Sequence, residues 1–195
     1  MEKVTAVILC YKRTNNLPAI LAEISKHEFI DEILVWKQDE RNDDKVYARY
    51  LLADQARNET IYTQDDDVIV HDIDKLYEAY DGKQLVYGAP ADFEPKANGE
   101  YKMNNLALVG WGSFFQRGWL CRMDFYTEEY GEDDLFLREA DRVFTMLQLT
   151  NHKYMPVELT MLSDATSTDA LSQDAKHLEY RAEIIRRCNE IRKHY

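Results

Sequence analysis

The first third of the chain alternates between short apolar runs and amphipathic stretches. Apolar runs of strand length occupy 4–9, 33–36 and 61–64, and such continuous runs are typical of buried parallel β-strands. A weaker helical pattern covers 45–55. The stretch after the first run has apolar residues on one helical face, at Leu17, Ile20, Leu21 and Ile24. The order strand, helix, strand, helix, strand predicts a parallel α/β sheet.

The remaining two thirds follow a less regular pattern. Two glycines bracket Trp111 and end an apolar run at 106–109. Glycine there indicates close approach of the backbone to another group, and a tight turn with a core tryptophan is the alternative. The Ser/Thr/Asp-rich segment 165–172 is typical of a flexible flap. The other elements that the pattern predicts are a helix at 72–82, strands at 85–87, 106–109 and 154–157, a loop or short hairpin at 91–105, a helix from the acidic cluster 130–134 to 147, and a last helix from about 173.

Three consecutive aspartates, Asp65, Asp66 and Asp67, follow the third predicted strand. Adjacent carboxylates about 4 Å apart repel by roughly 4 kcal/mol at an effective dielectric constant near 20. A divalent cation reverses the sign of that energy, and hard carboxylate oxygens suit Mg²⁺ or Mn²⁺. Ligands of open α/β sheets bind at the carboxyl ends of the strands. The triplet therefore predicts a metal and nucleotide site, and a solvated acidic turn is the structural alternative.

The loops after the other two strands are expected at the same sheet edge, because crossovers between parallel strands are right-handed. These loops are 11–13 and 36–39, and they bring Tyr11, Arg13 and Trp36 towards the triplet. An aromatic residue and a cation would lie near a nucleotide base, with carboxylates near the ribose and the metal. Neither loop contains a GxGxxG or Walker sequence, which argues against a dinucleotide fold or a P-loop.

Composition limits the classes of ligand and the cellular compartment that are expected for this protein. The net charge of −12 and pI of about 4.9 argue against loose binding to a nucleic-acid backbone, so an anionic ligand must be attracted by a metal and a few specific cations. Three cysteines without metal spacing, Cys10, Cys121 and Cys188, favour a reducing, cytoplasmic setting. The first apolar run indicates a strand rather than a signal peptide. No run reaches the roughly 18 apolar residues of a membrane span, so a soluble protein, or one module of a longer chain, is expected.

Several segments carry a family resemblance in the same order along the chain. They are VTAVILCYKRTNNLPAIL, DEILVWKQDE, IYTQDDDVIV, LVGWGSFF, GEDDLFLREA and the stretch from His177 to Arg181. Together they resemble a GT-A fold glycosyltransferase, and more narrowly the exostosin-like (glycosyltransferase family 64) catalytic domain. The resemblance spans most of the chain, and its sharpest parts are the aspartate triplet and the second acidic cluster.

The resemblance implies an α/β GT-A fold in a single domain covering 1–195. A mixed central sheet flanked by helices would form a Rossmann-like nucleotide-sugar half at about 1–90. A small acceptor and catalytic half would follow at about 91–195. Family members use a UDP-sugar with Mn²⁺ or Mg²⁺. The compact chain without a predicted membrane anchor suggests a microbial or viral enzyme rather than one of the Golgi.

The resemblance also assigns residues to roles. Asp133 or Asp134 would face the anomeric carbon or the acceptor hydroxyl, and Trp111 and Phe114 would form a platform for the sugar or acceptor. Asp67 would bind the metal, with His177 as a second ligand. The donor-binding residues would be Tyr11, Arg13, Trp36, Asp65, Asp66 and Arg181.

The expected function is metal-dependent transfer of a hexosyl or N-acetylhexosaminyl group from a nucleotide-sugar to a hydroxyl acceptor such as a glycan, and the resemblance favours retention. A nucleotidyltransferase is a second reading of this fold, although the Gly-rich loop usual in those enzymes is absent from 11–16. A non-catalytic nucleotide- or carbohydrate-binding module with a structural cation is another alternative. Glycosylation of modified phage DNA is a third, and the acidic pI weighs against it.

Overall fold

The structure is a computed structural model that describes residues 2–38, 44–93, 99–148, 150–162 and 174–194. Eight strands are found over these residues: β1 (Val4–Tyr11), β2 (Ile30–Gln38), β3 (Thr60–Asp65), β4 (Val68–Val70), β5 (Val86–Ala89), β6 (Ser113–Gln116), β7 (Lys153–Pro156) and β8 (Leu159–Met161). The α-helices of the same ranges are α1 (Leu17–Ile24), α2 (Ala48–Asp54), α3 (Ile73–Ala79), α4 (Gly99–Asn104), α5 (Asp124–Tyr130), α6 (Asp134–Met146) and α7 (His177–Ile191). None of these helices has the length and apolar character needed to cross a bilayer.

Six of the described strands form one mixed sheet in the order β2-β1-β3-β6-β5-β7. β1 is parallel to both β2 and β3, and β5 is parallel to β7. β6 lies between β3 and β5 and is antiparallel to both. The short strands β4 and β8 pair separately in an antiparallel manner. The prediction of an α/β fold with a mixed central sheet flanked by helices is confirmed.

Side-chain alternation along the central strands divides the core into two layers. Val7 and Ile61 face a layer that includes buried residues of α2, α5, α6 and α7. Ile8 and Tyr62 face the opposite layer, which includes buried residues of α1 and α3. Successive strand residues point to opposite faces, so a continuous apolar run such as Val4–Leu9 supplies both layers at once. β1 and β3 are therefore fixed from both sides, and their carboxyl ends are rigid supports.

Two predicted elements are wrong. The run 106–109 is not a strand: it leads into a 3-10 turn at Val109–Trp111, and β6 begins only at Ser113. The physical reason is Gly112, whose φ of +93° lies in the left-handed region that favours glycine and interrupts an extended chain. The predicted loop 91–105 contains α4. The segment 165–172, predicted as a flap, lies outside the described residues, and the last helix begins at His177 rather than near 173.

A histidine at the start of β7 gives the fold a dependence on pH. His152 Nε2 donates to the backbone oxygen of Thr145 at 3.0 Å, and burial lowers the pKa of its ring to about 4. In the unfolded chain this histidine accepts a proton near pH 6.5, whereas in the folded state it does so only near pH 4. The stability that neutral His152 contributes is therefore complete above pH 6.5 and is lost as the pH falls towards 4. Between pH 7 and 4.5 the wild type should lose about 2 kcal/mol more than His152→Gln. Urea unfolding at both pH values measures this, and equal losses would contradict it.

Candidate functional site

A cavity of about 350 Å³ opens at the carboxyl ends of β1 and β3. Its volume is within the range of small-molecule sites. Eight of the residues singled out from the sequence line it, namely Tyr11, Arg13, Asp65, Asp66, Asp67, Trp111, His177 and Arg181. The other polar side chains of its wall include Gln38, Lys45, Tyr101, Arg138, Glu139, Asp141 and Arg142. The sheet edge expected from the strand order is therefore the edge at which these groups meet.

Asp66, the middle aspartate, is turned into the protein. Its carboxylate accepts from the Tyr11 backbone N–H and from Arg13 Nη1, each at 2.8 Å. Asn16 Nδ2 donates to its backbone oxygen at 2.9 Å. The residue is 3% exposed, and burial raises the pKa of its carboxyl group. Asp66 thus joins the β1–α1 loop to the end of β3.

Asp65, the first aspartate, is held by Arg49 of α2. Arg49 Nη2 donates to Asp65 Oδ1 at 2.5 Å, and Nη1 donates to Thr63 Oγ1 at 3.1 Å. Arg49 Nε lies 3.3 Å from Asp141 Oδ1, and Tyr50 donates its hydroxyl to the same oxygen at 2.7 Å. Arg49 is 1% exposed. Burial opposes its charge, but Asp141 and Asp65 outweigh burial and raise the pKa of Arg49.

Asp67, the third aspartate, carries the excess negative charge of the triplet. Of the described cations, only Arg13 is recorded near it, with Nη1 3.7 Å from Asp67 Oδ2, beyond hydrogen-bond distance. Burial and the nearby Asp65 charge raise the pKa of Asp67 to about 7, against the lowering effect of Arg13. Asp65 and Asp66 each have a guanidinium at hydrogen-bond distance. A positive ligand in the cavity is therefore best accommodated beside Asp67.

The glycine before Trp111 lies directly against Asp65. A Cβ atom placed on Gly110 would overlap the carboxylate oxygens of Asp65. The close backbone approach that the sequence indicated is confirmed, and its partner is this carboxylate. Gly110 and Arg49 together confine Asp65.

Gly110→Ala should therefore destabilise the protein by about 1–3 kcal/mol, because overpacking forces a side chain or the backbone to move. Gly118→Ala is the matched control, since no atom lies within 4 Å of a Cβ placed there; it should change stability by less than about 0.5 kcal/mol. Urea unfolding of both variants measures the difference. Equal stability of the two would show that Asp65 moves aside at no cost.

Helices α6 and α7 form the wall with most of the cavity's cations. Arg142 Nε donates to Glu139 Oε2 at 2.9 Å, and Glu139 Oε1 lies 3.7 Å from His177 Nδ1. Burial, followed by Arg181 and Arg142, lowers the pKa of His177. His177 Nε2 and Arg181 Nε are buried, and neither finds a hydrogen-bond partner among the described residues. The wall thus presents nitrogen atoms suited to anionic oxygens.

Several glycosyltransferases of known structure have a similar fold. TarS 1–349 of S. aureus, in complex with UDP-GlcNAc, matches with a TM-score of 0.51 and 10% identity over 80% of this chain and 57% of that chain. GlyE of Streptococcus pneumoniae TIGR4 matches with a TM-score of 0.48 and 13% identity over 95% and 51%. The catalytic domain of Drosophila beta1,4galactosyltransferase 7 matches with a TM-score of 0.46 and 15% identity over 79% and 65%.

The likeness to TarS decides the architecture. The chain has a GT-A fold. It spans about half to two thirds of the length of these three proteins (51%, 57% and 65%). No protein-family model matches the chain, and neither does any curated protein. At such low identity the likeness concerns the fold alone.

The acidic cluster at the start of α6 does not lie in the cavity, contrary to the prediction for Asp133 and Asp134. Asp133 is the N-cap of α6 and accepts from the Phe136 N–H at 2.8 Å. It also pairs with Arg187 Nη1 at 2.7 Å. Asp134 pairs with Lys45 and Arg138. Carboxylates in the first turn of a helix satisfy its free N–H groups and favour its dipole, which explains this cluster structurally.

Two aromatic residues that were predicted at the site, Phe114 and Trp36, also lie away from the cavity. Phe114 is 0% exposed and packs in the core against Tyr62, with ring centroids 5.0 Å apart, because its position in β6 faces α3. Trp36 packs against the opposite core layer and is absent from the cavity wall. Tyr101 of α4 lines the cavity with Trp111 instead. Tyr101 was not singled out from the sequence, because the stretch 91–105 was predicted to be a loop or short hairpin.

The donor set suits a cation that completes its shell from a ligand. In the ranges that the structure describes, no three His, Cys, Asp or Glu side chains converge on one point. Mg²⁺ is usually held by one or two carboxylates together with water and substrate phosphates. Asp67, with its uncompensated charge, and Asp65 fit that pattern. Ligation by His177 stays a prediction, since its recorded contact is with Glu139.

Proposed function

We propose that the protein is a metal-dependent glycosyltransferase that moves a sugar from a nucleotide-sugar to a hydroxyl acceptor. The observation that carries this proposal is the split of the aspartate triplet at the end of β3. Asp65 and Asp67 have side chains 37% and 17% exposed at the cavity, whereas Asp66 is committed to Arg13 and Tyr11. On a GT-A fold, an outer pair of carboxylates at this strand end suits a cation and a diphosphate.

Asp67 and Asp65 would hold Mn²⁺ or Mg²⁺. When bound, the cation supplies a Lewis acid that neutralises charge on the departing diphosphate. Asp65 comes to this task already oriented, because Arg49 and Gly110 confine it. Asp67 contributes the charge, because among the described residues no cation lies within hydrogen-bond distance of its carboxylate.

The donor would lie between the β1 loop and the α6–α7 wall. Tyr11 and Arg13 line the cavity on the β1 side, where we place the nucleoside, uridine as the family resemblance suggests. Arg181 Nε and His177 Nε2, which are buried and have no hydrogen-bond partner among the described residues, would donate to phosphate oxygens. Charge-assisted bonds of this kind are about twice as strong as neutral ones. A few cations at this wall would therefore suffice in a chain of net charge −12.

The sugar and its acceptor would use the aromatic side of the cavity, where Trp111 and Tyr101 lie. Aromatic faces with polar tips suit pyranose rings. Since TarS was solved with UDP-GlcNAc, a hexose and an N-acetylhexosamine donor are both included in the proposal. Retention of configuration and membership of the exostosin-like family are its narrowest parts, and they rest on the sequence resemblance.

The test is thermal unfolding with UDP-, GDP- and dTDP-sugars, each with and without Mn²⁺. Because the described carboxylates alone leave the metal shell incomplete, donor and metal should stabilise the protein together much more than either does alone. A donor at 100 times its dissociation constant should add about 2.7 kcal/mol. Release of free nucleoside diphosphate then measures transfer. Stabilisation by Ca²⁺ alone, with no response to any nucleotide-sugar, would replace the proposal with a structural cation site.

A further inference from the structure

The carboxylates that α6 brings to the cavity are not those of its first turn. They are Glu139 and Asp141. Asp141 is occupied by Tyr50, with an O–O distance of 2.7 Å, and by Arg49, with an N–O distance of 3.3 Å. Glu139 is the other carboxylate of α6 at the cavity, and neither Tyr50 nor Arg49 pairs with it.

The backbone is distorted at this residue. Glu139 has φ −112° and ψ 22° inside α6, outside helical geometry. Breaks within a helix need a physical cause and are frequent at functional sites. Glu139 lines the cavity at this break, and the residue is only 6% exposed. A carboxylate in such a position is costly unless it is paired.

The pairing fixes one oxygen of Glu139 and leaves the other without a hydrogen bond to a described residue. Arg142 Nε donates to Oε2 at 2.9 Å, which orients the carboxylate. Burial raises the pKa of Glu139, and the charges of Arg142 and Arg181 oppose that rise. Oε1 lies 3.7 Å from His177 Nδ1, too far for a hydrogen bond. A carboxylate in the cavity wall with one oxygen fixed and the other without a hydrogen bond to a described residue is preorganised to meet a positive charge.

We propose, on the basis of the proposed glycosyltransferase function, that Glu139 is a catalytic residue that stabilises the positive charge developing on the transferred sugar. The bond between the anomeric carbon and the diphosphate oxygen breaks, and its electron pair leaves with the diphosphate. The acceptor oxygen forms the new bond to the anomeric carbon, and its proton passes to the departing phosphate oxygen. Glu139 Oε1 faces the anomeric carbon and ring oxygen during this exchange and forms no covalent bond.

Glu139→Gln tests the proposal, because the amide keeps the size of the side chain and removes its charge. The turnover number should fall about 100- to 1,000-fold, while the dissociation constant of the donor with Mn²⁺ changes less than about threefold, since the loss is confined to the transition state. Glu128→Gln is the matched control: Glu128 is exposed on α5, and the same chemical change there should leave turnover unaffected.

A second variant separates catalysis from structure. Glu139→Ala should regain at least about tenfold of its lost turnover in sodium formate, because formate replaces the missing carboxylate. Turnover retained in Glu139→Gln would overturn the role of Glu139 while leaving the glycosyltransferase proposal in place. A loss of donor affinity as large as the loss of turnover would do the same. Absence of donor binding and turnover in the wild type would overturn both.

Discussion

Asp67→Asn should reduce metal-dependent sugar transfer by about 1,000-fold or more, equivalent to about 4 kcal/mol of transition-state stabilisation. The amide keeps the shape of the side chain but removes a charge that has no described cation within hydrogen-bond distance. Without it, the proposed cation would keep only Asp65, whose charge is already shared with Arg49. Turnover at several Mn²⁺ concentrations measures the loss, which excess metal should restore only in part.

The same substitution should not weaken the fold. Burial and Asp65 raise the pKa of Asp67 to about 7, so at neutral and higher pH its ionised form costs the folded state free energy that the unfolded chain does not lose. Removing that charge should raise the metal-free stability by about 1–2 kcal/mol.

Asp66→Asn is the matched control for Asp67→Asn, because it makes the same chemical change in the adjacent residue. It replaces one of the two carboxylate oxygens that accept from the Tyr11 N–H and Arg13 Nη1 with an amide nitrogen, which cannot accept. The lost buried hydrogen bond should lower stability by about 1–3 kcal/mol. Loss of stability in both variants, or retained metal-dependent turnover in Asp67→Asn, would contradict the division of the triplet into an outer pair and a structural middle residue.

The fold was largely predictable because its information is local. β1 is continuously apolar and α1 is amphipathic, and each pattern specifies one kind of element regardless of the rest of the chain. The aspartate triplet was also visible locally, since three adjacent carboxylates need a compensating charge. The error at 106–109 has a local cause as well, but propensity alone does not reveal that Gly112 adopts a left-handed conformation.

The division of labour among the carboxylates could not be predicted, because it depends on residues far apart in sequence. Asp133 looks as reactive as Glu139 until Arg187, 54 positions away, is seen to bind it. Asp65 and Asp66 pair with different guanidinium groups, those of Arg49 and Arg13. One local signal was available: Arg49 interrupts the apolar face of α2, and a charged residue at a core position implies a buried partner.

Arg49→Leu should produce the largest loss of stability, about 3–5 kcal/mol, because it leaves two carboxylates without their buried cation. Asp141 pairs with Arg49 inside the protein and Asp65 at the cavity edge. Burial already raises the pKa of Asp141, and Arg49 opposes that rise. Urea unfolding of the metal-free protein gives the loss directly, and the unfolding slope shows whether two-state behaviour is kept.

The double variant Arg49→Leu with Asp141→Leu shows whether the pair acts as a unit. Removing one partner strands a buried charge, whereas replacing both with apolar side chains removes the desolvation cost together with the attraction. The double variant should therefore be more stable than Arg49→Leu alone, by about 2 kcal/mol. Additive losses would mean that Asp141 and Arg49 contribute independently. In that case Asp65 alone would account for the burial of Arg49, and the link between α2 and α6 beneath the cavity would carry no energy of its own.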